Sequence, residues 1–217
     1  MTGTGGGAGG DGAGAGAADA LCVLDAVVCV HFAGANLVPV LTTALASAGF
    51  TLLVPQEVCD EVRRKDAKYP GLAKRWAALE RSRQVQVLPR LELATAPARV
   101  IDVLEEIRDL DFEQALLDSR DLGEHVVIAQ GVHLKEQGRA VALLIDDGGG
   151  QRAARRWDMD ILTMEDVLML ALYAGRFAAL DDLRGAYRRL REYGDGLPDF
   201  QQTALPAAFR AWVADGP

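Results

Sequence analysis

Cysteine is scarce, and its spacing excludes a framework of paired thiols. Cys22, Cys29 and Cys59 are odd in number and form no CxxC pair, so free buried thiols in a reducing compartment are expected. No Lys or Arg precedes Arg63, so a secretory signal with a basic leading segment is not expected. No apolar run approaches the roughly 18–20 residues of a membrane span, so a cytoplasmic protein with no membrane partner is expected. Basic residues are outnumbered, 23 Lys and Arg against 31 Asp and Glu, for a formal net charge of -8. That balance argues against a general nucleic-acid coat protein, yet it leaves room for carboxylates that gather to hold metal ions. No GxxxxGK[ST] loop is present, and GTGGGAGGDGAG precedes any strand, so its GxGxxG-like look is compositional. His31, His125 and His133 show no HExxH or paired spacing.

What is present suffices for one folded domain. The chain has 217 residues, 50% hydrophobic and 25% charged, and a core of that size is readily built. Residues 1–18 are mostly Gly, Ala and Thr and cannot bury enough to order themselves, so a disordered tail is expected there. The domain is placed over 19–174, with a helical extension and irregular tail over 175–217. Its organising stretch runs from Asp121 to Asp147: a helix over 121–137, a short connection, and the apolar run Val141–Ile145. That run is too short for a helix and suits a strand buried on both faces of a parallel sheet, with the helix as its crossover.

Further strands are expected at Leu21–Leu24, Thr51–Val54, Val85–Leu88 and Asp160–Leu162. Helices are expected at Ala26–Phe32, Asn36–Ala48 with Asn36 as N-cap, Gln56–Asp66 with Pro55 in its first turn, and Pro70–Arg81. Later helices fall at Arg99–Leu117, breaking near Asp109–Asp111, and at Gln151–Trp157, Glu165–Ala174 and Ala178–Tyr193. Gly148–Gly150 is read as a turn, and Gly194–Pro217 as irregular with one helical turn near Phe209. The alternation defines the fold class as α/β: three layers, with a mostly parallel central sheet of about five strands flanked by helices, Rossmann-like.

Acidic residues punctuate this pattern. Asp25 ends the first strand, and Asp146 and Asp147 end the fourth; Glu61 follows the second strand, and Asp121 and Glu124 open the crossover helix. With the first and fourth strands adjacent, these acids converge at the carboxyl edge, where open α/β sheets place their ligands. Hard oxygen ligands with open positions suit Mg²⁺ or Mn²⁺, and such ions stabilise charge on a phosphodiester under attack by water. Each acid also has an ordinary use. Asp121 with Glu124 is a D-x-x-E helix start, Asp146-Asp147-Gly148 is turn chemistry, and Glu61 with Glu57 forms an i,i+4 stripe on a solvated face. Asp25 has the least such use, since a charge after LCVL seldom serves packing.

The order of apolar strand and Asp25, VPQEVCDEV with Glu61, GEHVVIAQG with Glu124, and LLIDD with Asp146 resembles a PIN domain over roughly Leu21 to Leu170. The likeness is to the prokaryotic sort, with a Gly-Glu helix start before an L-I-D-D strand end. It implies a metal-dependent nuclease acting on RNA, in many cases the toxin paired with an antitoxin protein. By this resemblance Asp25, Glu61, Glu124 and Asp146 are the catalytic acids. Asp25, Asp121, Glu124, Asp146 and Asp147 are the implied ligands of Mg²⁺ or Mn²⁺. A homodimer is a further expectation, because apolar faces on the early and late helices need cover.

The chain departs from the pattern where Ala26-Val27-Val28 follows Asp25 in place of an early Ser or Thr, and where Gly148–Gly150 replaces Arg or another polar residue. The first departure feeds an alternative, a catalytically weakened PIN-like domain that binds RNA or protein. LCVLD and LLIDDGG also faintly resemble the first and last motifs of haloacid-dehalogenase phosphatases. That family requires a second Asp two residues after the first, and position 27 is Val. Arg152, Arg155 and Arg156, like Arg63, Arg64, Lys65 and Lys68, flank the acids and read either as phosphate contacts or as solvated faces. Arg184, Arg188, Arg189 and Arg191 read as a surface stripe, and Trp76 and Trp157 as packing or partner contacts.

Overall fold

The apolar runs become the strands of a parallel sheet. A computed structural model describes residues 20–194 and 196–216, so the tail expected over 1–18 lies outside the described residues. The strands are β1 (Ala20–Leu24), β2 (Phe50–Pro55), β3 (Gln86–Leu88), β4 (Val141–Leu144) and β5 (Asp160–Leu162), in the order β3-β2-β1-β4-β5. All four pairings are parallel; Leu21 lies opposite Val141 and Leu24 opposite Leu144 across the β1–β4 pair. β1 and β4 are covered on both faces, which is why each reads as an unbroken apolar run rather than an alternating one.

Eleven helices among the described residues flank the sheet: α1 (Ala26–Gly34), α2 (Val38–Ser47), α3 (Gln56–Arg64), α4 (Leu72–Arg81), α5 (Ala98–Arg108), α6 (Phe112–Leu117), α7 (Leu122–Glu136), α8 (Gly148–Arg156), α9 (Met164–Tyr173), α10 (Leu180–Arg191) and α11 (Leu205–Asp215). α7 packs between α5 and α8 on one side of the sheet, and α9 between α2 and α11 on the other, giving the three layers expected. No helix of the described residues is long and apolar enough to cross a membrane. The three cysteines are buried and unpaired, and Trp76 is fully buried in the core.

Several local expectations are corrected. Asn36 is not an N-cap: it takes a left-handed conformation (φ 56) in the turn between α1 and α2, and Pro39 sits in the first turn of α2 instead. Pro55 closes β2 and stands at the N-cap of α3 with extended backbone, one step before the position expected. The break near Asp109 is found, as a left-handed residue (φ 52) ending α5. Gly148–Gly150 is no turn but the first turn of α8. The Asp147 carboxylate accepts from Gly149 N at 2.6 Å and Gly150 N at 3.1 Å, and this cap offsets the poor helix propensity of glycine.

The C-terminal segment is also more ordered than expected. α11 is a full helix with Pro206 in its first turn. α10 buries Leu183, Ala186, Tyr187 and Leu190 in the same core as the sheet. His31 of α1 donates from Nδ1 to the Leu190 carbonyl at 2.8 Å, tying the first helix to this late one.

Candidate active site

β1 connects outward to β2, and β4 in the opposite direction to β5, so their adjacent carboxyl ends form the switch point of the sheet, the place where open α/β sheets have their crevice. Asp25 is the first residue beyond β1. Its amide donates to the Leu144 carbonyl at 3.1 Å, and its carboxylate accepts from Val27 N at 3.2 Å, capping α1. The residue is only 3% exposed. Burial pushes its pKa up to about 6, against the pull of the Ala26 and Val27 amides and with added repulsion from Glu61 and Asp147.

Glu124 enters the same crevice from the first turn of α7. Burial and then the charges of Asp25, Asp147, Asp121 and Glu61 raise its pKa to about 7. Two glycines make the close approach of the acids feasible. A Cβ at Gly123 would lie 2.9 Å from Glu61 Oε2, and one at Gly150 would lie 2.5 Å from Glu124 Cδ and 2.8 Å from its Cγ. Asp121 stands at the N-cap position of α7 in a left-handed conformation (φ 53) and makes no side-chain cap bond. The D-x-x-E sequence therefore builds no capping box, and both its acids are left to the crevice.

Asp146 does not join them. Its Oδ1 accepts from Met164 N at 2.9 Å, fastening the end of β4 to α9. Its pKa is raised by burial, opposed by that amide and reinforced by Asp166 and Asp147. Side chains alternate along extended backbone, so only one of two consecutive acids can face the crevice. Here that acid is Asp147, whose Oδ2 caps α8 while Oδ1 makes no hydrogen bond among the described residues. Glu57, the other half of the expected solvated stripe, is 6% exposed and accepts from Leu91 N at 2.8 Å.

Arg108 is a contributor that the sequence did not single out. It donates to the carbonyls of Asp118 (2.9 Å) and Arg120 (3.0 Å), and pairs with the Asp118 carboxylate at 3.0 Å. It thereby pins the segment that delivers Asp121 and Glu124. It also reaches His125 Nδ1 at 2.9 Å. A guanidinium can only donate, so this nitrogen accepts and the ring proton is on Nε2, 4.0 Å from Glu124 Oε1. Burial, with Arg108 adding to it, lowers the His125 pKa and keeps the ring neutral. The only sequence signal for Arg108 was a cation at the end of the apolar stripe of α5.

Of the basic residues flanking the acids, Lys65 reaches the crevice, 4.0 Å from Glu61 Oε1. Arg63 is committed to Asp60 (2.8 Å) and Glu80 (2.7 Å), and Arg155 leans on Gln151. Arg152 makes no ion pair among the described residues and folds back over Gly148 at the far rim. In the late stripe Arg184 and Arg191 pair with Asp181 and Asp199. Comparison with protein-family models and with curated proteins returns no match.

Among the described residues no three His, Cys, Asp or Glu side chains are drawn together into a ready-made metal cage. The acids are near enough to repel one another across the switch point. Their donor chemistry nevertheless fits a hard divalent cation. All are carboxylate oxygens, two have pKa values raised partly by mutual repulsion, and one of the Asp147 oxygens is unengaged.

Proposed function

We propose that this protein is a PIN-like ribonuclease that hydrolyses phosphodiester bonds with the help of Mg²⁺ or Mn²⁺. The observation that carries this is the convergence of Asp25, Glu61, Glu124 and Asp147, with Asp121 beside them, from separate segments onto the switch point of a parallel sheet. Asp25, Glu124 and Asp147 would hold the cation, flanked by Glu61 and Asp121. Such an ion, when bound, activates water and offsets negative charge developing on phosphate oxygens. The chain's own part is positioning. Asp25 is fixed by backbone bonds to Leu144 and Val27, Asp147 by its cap of α8, and Glu124 by the Arg108-pinned segment before it. Glu124 has a pKa near 7 without the cation, so an ion bound there would displace its proton at neutral pH. Lys65, beside Glu61, and Arg152, beside Gly148, would meet phosphates of the bound chain.

The test is cleavage of a labelled single-stranded RNA with Mn²⁺. Asp25→Asn, Glu124→Gln and Asp147→Asn should each lose about 100-fold or more of the rate, in the range expected when a charge-stabilising group is removed. Asp146→Asn, which keeps an oxygen for Met164 N, should retain most of it. Activity lost at Asp146 and kept at Asp147 would reverse the assignment, and no metal-dependent cleavage by the wild type would overturn the reading.

A second reading, a PIN-like domain that binds RNA or protein without cutting, is favoured by Val27. This apolar side chain is 39% exposed beside the acids, where the resemblance implies a hydroxyl. Binding of RNA with no cleavage in any divalent metal would select it. A toxin role, an antitoxin partner and a homodimer belong to the same proposal, and light scattering of the chain alone and after co-expression with its gene neighbour tests them.

A further inference from the structure

Beside Glu61 a cleft of about 190 Å³ lies between α1, the end of α3 and the segment after α10. Its floor is Ala26, Val27 and Val30, the residues that follow Asp25 on α1. Its walls are Tyr69 and Tyr193, whose rings meet at 56° with centroids 5.3 Å apart. Lys65 and Lys68 stand at its rim; Lys65 lies 4.0 Å from Glu61 Oε1, and Lys68 5.1 Å from the centre of the Tyr69 ring. Three features of this cleft point one way. It carries apolar and aromatic side chains beside His31, it is cationic at the edge of a protein with net charge -8, and it shares Glu61 with the acid cluster.

Its size narrows the occupant. Pockets for whole small molecules begin at roughly 300 Å³, so this cleft suits one unit of a longer chain rather than a complete ligand. A flat, sequence-tolerant unit carrying a phosphate is what tyrosines and lysines together recognise in single-stranded nucleic acid.

We propose that this cleft is a nucleotide subsite: one base of a single-stranded RNA stacks against Tyr69 and Tyr193, Lys65 and Lys68 hold its phosphate, and the adjoining phosphodiester lies over the acids. The inference rests on the ribonuclease reading for the identity of the bound chain. It also gives the exposed Val27 a use, as the surface beneath the base.

The experiment measures anisotropy of a short fluorescein-labelled single-stranded RNA in EDTA, alongside KM and kcat with Mn²⁺. Tyr69→Ala should weaken binding and raise KM about tenfold, the effect of one lost base–aromatic stack, with kcat little changed. Tyr69→Phe should recover most of that affinity. The exposed pair Lys65→Ala/Lys68→Ala should lower the slope of log K against log salt by about 0.7 per lysine. Wild-type cleavage with KM, dissociation constant and salt slope unchanged in all variants overturns the subsite and leaves the nuclease standing. Binding that depends on Tyr69 and both lysines, without cleavage, keeps the subsite and overturns the nuclease. No RNA binding by the wild type overturns the subsite.

Discussion

Glu124 shows how a single side chain couples the crevice to the stability of the fold. Its ordinary pKa of 4.5 rises to about 7 in the folded protein, chiefly through burial. Between those values the folded state binds more protons than the unfolded chain, so this contribution is complete below about pH 4.5 and is lost as pH rises through 7. Asp25 acts in the same sense between 3.8 and about 6. His31, whose pKa burial lowers, acts in the opposite sense and is common to wild type and variant. Metal-free Glu124→Gln should therefore exceed the wild type in stability above pH 7, by on the order of 2 kcal/mol, or roughly 4–8 °C in Tm. The gap should close as pH falls toward 4.5, and thermal melts across that range would show it. Parallel pH profiles would mean that the fold does not hold the carboxyl protonated. At this scale the sequence was partly legible: the acids at the ends of β1 and β4 could be read, but which of Asp146 and Asp147 faces inward depends on the phase of alternation where β4 gives way to α8.

At the scale of elements, Gly150 joins α8 to α7 through the space it leaves empty. Gly150→Ala improves helix propensity by about 1 kcal/mol, so α8 itself should not weaken. Yet the added methyl meets the Glu124 side chain at 2.5–2.8 Å and forces it to turn away. Cleavage or Mn²⁺ affinity should fall about 10- to 100-fold, the range seen when groups supporting a metal site are disturbed. Unaltered Mn²⁺ titration by calorimetry, with intact circular dichroism, would show that Glu124 is not needed where it stands. The triple glycine misled the sequence reading for a physical reason. Three glycines signal a turn, but two backbone amides bound to the Asp147 carboxylate make them a helix start. Strands β1 and β4 were legible because burial on both faces leaves no polar position in them. Arg108 was not, because its partners include His125 and two carbonyls ten to twelve residues away.

Across the whole molecule, the C-terminal segment belongs to the core. Leu190 is fully buried, Tyr187 is 1% exposed, and the Leu190 carbonyl receives His31 of α1. A chain ending at residue 174 should fail to unfold cooperatively in urea, and Leu190→Ala in the full chain should cost about 2–5 kcal/mol. A truncated chain that melted as sharply as the whole would separate the segment from the fold. A helix was expected over Ala178–Tyr193 but was placed outside the domain, since no local pattern records that α1 leaves a face for it to cover.

Strand order also sets the timing of assembly. β1 is the first strand made and the central one, yet β4, its second neighbour, begins only at Val141, and α10 only at Leu180. Pairings over such separations must first overcome loop closure and form late. A growing chain thus carries Asp25 and Glu61 well before Asp147 exists to face them. Whatever chemistry the crevice performs, a growing chain that has not yet reached Asp147 has yet to acquire it.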